Sequence, residues 1–331
     1  MTSNITNGRL EVGTSAPASR EVRVVERRVE ARDVVSLRLR PTDGGLLPDW
    51  TPGSHIAVLL PDGSVRQYSL ADWPGRRDTY RIVVLREPDG RGGSRHLAEE
   101  TSEGDLLRIR SAENHFRLDG ASDYLFIAGG IGITALLPML LEAARRDVPW
   151  NLIYFGSTRT DMALLDELAS FGDRVRIVPR DEQPDLRASH ILAAAPESAH
   201  VYVCGPERMV ESIRADLGAE ASRRRLHVEL FQAPEDDLDT SADGAFELRL
   251  AQSDRVFRVT GSQTILEVVR DAGIDVLTDC EEGICGSCET RILDGQAEHR
   301  DHVLTEQEKD EQRCLMVCVS RSAGAVLTLA L

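Results

Sequence analysis

The 331-residue sequence is short of positive charge. It has a single lysine, Lys309, and its 39 basic residues against 55 acidic ones give a net charge of −16. Because an acidic surface repels a phosphate backbone, the composition argues against nucleic acid as a partner. Apolar residues make up 41% of the chain and charged residues 28%, as in ordinary globular proteins, and the length predicts two or three domains, each large enough for its own core.

Signals for export and for membrane insertion are also missing. Residues 1–20 are polar and contain no apolar core of a signal peptide. We therefore expect a disordered tail there and a cytoplasmic, reducing location, in which clustered cysteines bind metal more often than they form disulfides. One stretch of 18 uncharged residues, Tyr124–Leu141, is interrupted by three glycines and a proline. These interruptions favour a strand, a turn and a helix over a membrane span.

Two patterns of secondary structure follow one another along the chain. Short β-like runs separated by turn signals occupy residues 21–118 and predict a small antiparallel barrel or sandwich. Over residues 119–232 apolar strands alternate with helices, which predicts a parallel α/β sheet. The predicted helices of this part are Ala135–Arg146, Asp161–Ser170 and Pro206–Asp216.

The remaining sequence begins with an acidic segment rich in small residues, 233–244, which is typical of a linker. Residues 245–331 open with two runs of alternating strand residues. A helix is predicted at Thr264–Ala272, immediately before a loop rich in cysteine. We therefore expect a third, separate domain at this end of the chain.

Five of the six cysteines lie in the last 52 residues. Three of them form C-x4-C-x2-C in the segment DCEEGICGSC and a fourth follows after 29 residues, which is the plant-type 2Fe–2S spacing. Gly283 and Gly286 let backbone amides approach the sulfur atoms. Structural zinc usually uses two separated C-x2-C pairs, so the spacing favours iron–sulfur over zinc. Cys314 competes for the fourth position, but the spacing favours Cys318, and Cys314 is interpreted as a small buried residue. The predicted metal ligands are Cys280, Cys285, Cys288 and Cys318.

A glycine turn, AGGIGIT at residues 128–134, lies between a predicted strand and a predicted helix. Glycines there allow close approach to a pyrophosphate, and the helix N-terminus supplies free amides. Two further segments, Cys204–Pro206 and Gly156–Arg159, end predicted parallel strands, where ligands of such sheets bind. Arg159 is interpreted either as a contact to an adenosine phosphate or ribose or as a solvated surface residue. The candidate nucleotide-binding residues are Gly130, Gly132, Ile133, Thr134, Ser157, Arg159, Cys204, Gly205 and Pro206.

The pentapeptide Arg66–Leu70, RQYSL, lies in the β-rich part. Its arginine can pair with a phosphate, its tyrosine can cover a planar ring and its serine can bond a ring nitrogen. Gly92, Gly93 and Ser94 offer amides and a hydroxyl for a second phosphate contact. By composition alone, the pentapeptide also fits an ordinary strand.

Four segments together, PGSHIAVLLPDGSVRQYSL, AGGIGITALLPML, YVCGPERMVESI and DCEEGICGSCETRILDGQAEHRDHVLTEQEKD, resemble the phthalate dioxygenase reductase and vanillate demethylase reductase family. The resemblance covers about residues 21–331. It implies an antiparallel β-barrel flavin domain, a Rossmann-like parallel α/β nucleotide domain and a C-terminal β-grasp ferredoxin domain. It also implies FMN rather than FAD, a 2Fe–2S cluster, and NADH, with NADPH left open.

The resemblance further implies roles for individual residues. Arg66 would contact the flavin phosphate, Tyr68 would pack on the isoalloxazine, and Ser69 would lie near its N5. Cys204 would lie near the nicotinamide C4, so that Ser69 and Cys204 would position hydride transfer without an acid–base pair. The other implied flavin contacts are Val84, Leu85, Gly92, Gly93, Ser94, Thr134, Glu229 and Phe231.

The implied function is that of a reductase component of a multicomponent oxygenase, which passes electrons from NADH through FMN and the cluster. No Rieske C-x-H…C-x2-H pattern occurs in the sequence, so the acceptor is expected to be a separate terminal oxygenase. A Rieske-type non-haem iron oxygenase or demethylase is the first choice and a cytochrome haem monooxygenase the second. A redox-sensing iron–sulfur flavoprotein and a zinc-containing binding module are the alternatives from other classes. The protein is expected to be monomeric, with no membrane or nucleic-acid partner.

Overall fold

The computed structural model describes residues 19–88, 90, 92–186, 192, 196–218, 225–233 and 243–331. The expected tail therefore lies outside the described residues except for its last two, and most of the expected linker lies outside them as well. Within these ranges, no helix combines the length and the apolar character needed to cross a membrane.

The first domain is an antiparallel sheet of six strands in the order β4-β3-β6-β1-β2-β5. The strands are β1 (Arg20–Ala31), β2 (Val34–Pro41), β3 (His55–Leu59), β4 (Val65–Ser69), β5 (Tyr80–Leu85) and β6 (Leu106–Ile109). A bridge between Leu70 and Ile82 links the two outer strands and closes the sheet into a barrel. Alternate strand residues such as Leu37 and Leu39 fill its interior, as the two-residue period of a strand requires. A short helix, α1 (Gly93–Arg95), follows β5.

The second domain is a sheet of five parallel strands in the order β11-β10-β7-β8-β9. The strands are β7 (Tyr124–Gly129), β8 (Trp150–Gly156), β9 (Val175–Pro179), β10 (His200–Cys204) and β11 (Leu226–Glu229). The helices are α2 (Ile133–Arg145), α3 (Leu165–Ala169) and α4 (Glu207–Leu217). Strand β7 and helix α2 account for the uncharged stretch, because β7 is the buried central strand of the sheet and α2 packs against that sheet.

Helix α3 is shorter than the predicted helix Asp161–Ser170. The chain makes a single 3-10 turn at Arg159–Asp161, and Leu164 then adopts a left-handed conformation with φ of 63°. A non-glycine residue in that region interrupts a right-handed helix. The helix therefore begins only at Leu165.

The third domain has a mixed sheet in the order β13-β12-β18-β14-β16, beside a two-stranded ribbon of β15 and β17. The strands are β12 (Phe246–Leu250), β13 (Arg255–Val259), β14 (Glu289–Asp294), β15 (Ala297–Glu298), β16 (Cys314–Met316), β17 (Arg321–Ser322) and β18 (Val326–Leu329). Its helices, α5 (Ile265–Asp271) and α6 (Glu306–Glu311), both begin with capping boxes formed by a threonine and a glutamate three residues later. The apolar side of α5 packs in the core of the sheet.

Ion pairs join the first two domains. Arg81 of the barrel makes two hydrogen bonds to Glu167 of α3, at 2.6 and 3.0 Å, and Arg32 donates to Asp161 at 2.6 Å. Such contacts hold the barrel against the carboxyl ends of the parallel strands. The site described next lies between these surfaces.

Candidate functional site

A cavity of about 1000 Å³ opens where the three domains meet. Strand β4, the glycine turn, the segment after β11 and the cysteine loop all contribute to its walls. Candidate flavin residues in the lining are Arg66, Tyr68, Ser69, Leu85, Gly93, Ser94, Thr134, Glu229 and Phe231. Candidate nucleotide residues in the lining are Gly130, Gly132, Thr134, Gly205 and Pro206, and the cysteines there are Cys280 and Cys285.

Eight candidate residues do not line this cavity: Val84, Gly92, Ile133, Ser157, Arg159, Cys204, Cys288 and Cys318. Val84 and Ile133 are buried in the barrel core and in the α/β core. Arg159 donates to both carboxylate oxygens of Glu182, at 2.7 and 3.1 Å, so the guanidinium offered to an adenosine phosphate already has an anionic partner. Cys204 is fully buried behind the glycine turn, and burial raises the pKa of its thiol.

The barrel side of the cavity contains a close approach between α1 and strand β4. A Cβ atom on Gly93 would lie 2.6 Å from Arg66 Cγ and 2.7 Å from Leu60 Cδ1. The residue before it, Gly92, has φ of +87°, a conformation that favours glycine. The Ser94 hydroxyl accepts a hydrogen bond from the Glu87 amide at 3.1 Å, which ties the segment after β5 to α1. The guanidinium and the glycine backbone thus border the same space, and this arrangement fits a phosphate.

The glycine turn packs directly on the end of strand β10. A Cβ atom on Gly132 would lie 2.3 Å from the Cys204 carbonyl oxygen and 2.9 Å from the Gly205 nitrogen. A Cβ atom on Gly129 would lie 2.7 Å from Pro206 Cδ. The two nucleotide motifs therefore meet backbone against backbone, which leaves the start of α2 open to the cavity and fits a dinucleotide.

The four predicted cluster ligands form two pairs. Cys280 and Cys285 share a hydrogen bond, and the Sγ atoms of Cys288 and Cys318 are 3.2 Å apart. Within the described residues, no three His, Cys, Asp or Glu side chains converge on a single metal position. Two thiols for each of two metal ions is the donor set of a 2Fe–2S cluster, so the residues fit that group.

Proton sharing within each pair separates the thiol pKa values. The hydrogen bond from Cys280 lowers the pKa of Cys285 to about 6, and the bond from Cys318 lowers the pKa of Cys288. Gly283 shapes this loop, because its φ is +71° and a Cβ atom there would lie 2.7 Å from Val319 Cγ2. The Glu282 amide also donates to the Cys280 sulfur at 3.3 Å.

Three polar residues of the cavity, His55, Gln67 and Asp279, were missed by the sequence interpretation, whereas Glu229 was among the implied flavin contacts. Glu229 has a buried Oε2 without a hydrogen-bond partner among the described residues, and burial raises its pKa to about 8. His55, opposite Ser69 in the sheet, has an Nε2 that no described residue bonds, and burial lowers its pKa to about 4, so the ring is neutral. Gln67 and Asp279 join the barrel to the cysteine loop. Of these residues, only Asp279 could have been noticed in the sequence, because it directly precedes the cysteine ligand Cys280.

Comparison with known proteins agrees with this architecture. Residues 248–323 match the 2Fe-2S iron-sulfur cluster binding domain, and residues 126–215 match the oxidoreductase NAD-binding domain. The phenoxybenzoate dioxygenase subunit beta of Ectopseudomonas oleovorans is 41% identical over 322 residues, which are 96% of this chain and 98% of that protein.

Two solved structures are similar over most of the chain. Phthalate dioxygenase reductase, described as a modular structure for electron transfer from pyridine nucleotides to [2Fe-2S], has a TM-score of 0.68 and 34% identity, with 95% of this chain and 98% of that chain covered. An intact type IV self-sufficient cytochrome P450 monooxygenase has a TM-score of 0.89 and 40% identity, and the match covers 95% of this chain but only 41% of that chain.

The fold and the site define an iron–sulfur flavoprotein oxidoreductase that takes electrons from a nicotinamide nucleotide. The chain belongs to the phthalate dioxygenase reductase family. Membership confirms the predicted barrel, parallel α/β and ferredoxin folds, the electron-transfer function, the 2Fe–2S cluster and the use of a pyridine nucleotide. Oxygenase components are the general class of partner in this family.

Proposed function

We propose that this protein is the reductase of a multicomponent oxygenase and delivers electrons from NADH to a separate Rieske-type non-haem iron oxygenase or demethylase. One observation carries the proposal: strand β4, the glycine turn and the cysteine loop border a single cavity. When bound, FMN accepts a hydride from NADH, and the cluster passes electrons on singly. The protein positions these groups. We propose a cytoplasmic monomer, in which the thiols remain reduced.

On the barrel side, we assign the phosphate of FMN to Arg66 and to the backbone of Gly93 and Ser94. A guanidinium pairs with phosphate through two parallel hydrogen bonds, and the glycine allows the backbone to approach. Tyr68 would cover the ring and Ser69 would bond it. Leu85 and Phe231 would complete the pocket wall, and Val84 and Gly92 would support it from behind. Neutral His55 would meet the polar edge of the ring from the neighbouring strand.

On the α/β side, we assign the pyrophosphate to the glycine turn at Gly130 and Gly132 and to the first turn of α2, which begins with Ile133. Gly205 and Pro206 would hold the nicotinamide end, and Thr134 would lie between nicotinamide and flavin. The thiol of Cys204 lies behind this wall, so its part would be to support the wall close to C4. Ser157 and Arg159 would lie toward the adenosine end, where Glu182 disfavours a 2′-phosphate and therefore NADPH.

The proposal is tested by mixing the holoprotein with NADH, oxygen and a purified Rieske oxygenase with its aromatic substrate. We expect NADH oxidation coupled to product formation, and loss of coupling in Cys285→Ser. Cys314→Ser serves as the matched control because it removes a thiol from the same domain but outside the two pairs. Absence of product with every Rieske oxygenase tried, while NADH still reduces the protein, would overturn the choice of partner.

A haem monooxygenase is the second candidate acceptor. It is favoured by the 40% identity to the reductase-containing part of a self-sufficient cytochrome P450 monooxygenase. The same assay distinguishes the two, with a purified cytochrome P450 in place of the Rieske protein. Product formation with the P450 alone would support this second candidate. A redox sensor, in contrast, should show no sustained NADH oxidation with any acceptor.

A further inference from the structure

Asp279, immediately before the first cysteine of the loop, is a buried carboxylate with partners in another domain. Its side chain is only 3% exposed. A buried carboxylate is costly unless it is paired and hydrogen-bonded. Asp279 therefore depends on its ion-pair and hydrogen-bond partners to remain buried.

One carboxylate oxygen of Asp279 forms an ion pair with Arg110, whose side chain is 16% exposed. The other oxygen accepts a hydrogen bond from Ser287 at 2.8 Å and one from Gln67 at 3.2 Å. Gln67 also donates to the Ser287 hydroxyl at 3.1 Å. Two barrel side chains thus bind the two ends of the cysteine loop through one acidic group.

One barrel residue of this contact, Gln67, lies in a strand of the proposed flavin site. Gln67 lies in β4 between Arg66 and Tyr68, and successive side chains of a strand point to opposite faces. The same short strand therefore serves the flavin pocket and the cysteine loop. Arg110 directly follows β6 and is separated from Asp279 by 169 residues in sequence.

A second contact lies beside the first. Gly286, between the cysteine ligands, has φ of +81°, and a Cβ atom there would lie 2.6 Å from the imidazole of His115. The ring of His115 stacks on His55 of the barrel, with centroids 6.0 Å apart. The backbone of the loop at Gly286 thus packs directly on the His115 imidazole, which rests on the barrel.

We propose that Asp279 is a positioning residue for electron transfer. Its contacts with Gln67 of strand β4 and with Arg110 hold the cysteine loop against the barrel and so set the separation of flavin and cluster. The proposal rests on the proposed function, in which electrons pass between these two groups. Removing one partner leaves the other buried and unpaired, which disfavours the docked arrangement. NADH binding, which the proposed function assigns to the α/β side of the cavity, and hydride transfer are expected to be unaffected.

The test compares Asp279→Asn, Arg110→Gln and Arg110→Lys with the control Arg249→Gln, which breaks an exposed ion pair with Glu247 in the ferredoxin domain. Each holoprotein is mixed rapidly with NADH, and the absorbance losses of flavin and cluster are followed separately. In Asp279→Asn and Arg110→Gln we expect flavin reduction within twofold of wild type and cluster reduction slowed at least about tenfold. Arg110→Lys keeps the positive charge, so its cluster reduction should be slowed less than that of Arg110→Gln.

Hydrogen exchange on the oxidised proteins gives a readout independent of activity. In Asp279→Asn and Arg110→Gln, we expect faster exchange of the amides of residues 66–69 in the barrel and of residues 279–288 in the cysteine loop. The control Arg249→Gln should exchange as the wild type does. Arg110→Gln is decisive because it lies in the barrel and does not disturb the cluster loop directly. Unchanged cluster reduction in that variant overturns the proposal, even if Asp279→Asn loses iron. A wild-type protein that NADH fails to reduce would refute the proposed function, and hydrogen exchange would then decide the docking contact alone.

Discussion

Replacing Gly132 by alanine tests the backbone contact between the two nucleotide motifs. The new Cβ would lie 2.3 Å from the Cys204 carbonyl oxygen, whereas unstrained non-bonded contacts lie near 3.5 Å. Both sides are backbone, so the turn must move by about 1 Å, a misplacement that can cost about 100-fold at a reacting site. We expect the second-order rate of flavin reduction by NADH to fall about 10- to 100-fold, measured by rapid mixing over a range of NADH concentrations.

The neighbouring Gly130 supplies the matched control. It has φ of +53°, and a Cβ atom added there would have nothing within 4 Å, so its requirement is conformational and not steric. Asparagine tolerates left-handed backbone better than alanine. Flavin reduction by NADH should therefore be faster in Gly130→Asn than in Gly130→Ala. At Gly132, where space is lacking, it should be slower in the asparagine variant than in the alanine variant. Flavin reduction by Gly132→Ala within twofold of wild type, with an unchanged thermal midpoint, would refute the reasoning.

Three further predictions concern other parts of the site. Cys285→Ser should lose the iron of the cluster and Cys314→Ser should retain it, as measured by iron analysis; equal loss would contradict the pairing of the thiols. Burial raises the pKa of Glu229 from 4.5 to about 8, so the folded state binds more protons and wild-type stability should fall as pH rises through this window. Glu229→Gln should remove that fall in thermal scans from pH 5 to 8; an unchanged pH dependence would sink the assignment. Glu182→Gln frees Arg159 and should raise the preference for NADPH over NADH about tenfold in kcat/KM, and an unchanged ratio would place the 2′ site elsewhere.

The cluster ligands could be predicted because the spacing that identifies them lies mostly within one short segment of the sequence. Three of the four cysteines share one loop, and the glycine at 283 that shapes it is visible in the same segment. The alternation of strands and helices likewise reports the parallel sheet, since each unit is set by its own hydrophobic period. The late start of helix α3, at Leu165, was missed because it depends on one left-handed residue, Leu164, that no composition rule marks.

Contacts between distant segments could not be predicted. Arg110 and Asp279 are ordinary charged residues in sequence, and only the docking of two domains makes them a buried pair. Arg159 follows the end of a strand, as the sequence indicates, but its partner Glu182 comes from the next loop of the sheet. Charge alone therefore identifies candidates, and tertiary structure decides which of them are already paired.

Strand β18 lies at the centre of the third sheet, hydrogen-bonded to β12 and β14, although it follows Cys318 in the chain. At about 5–20 residues per second of synthesis, the first two domains can complete their sheets while the cysteine loop still lacks the strand that supports it. Iron inserted at that stage would meet thiols on an unfinished scaffold. Stable assembly of the cluster therefore waits for the last strand of the chain, and a truncation before β18 should leave the four cysteines present but unable to hold iron.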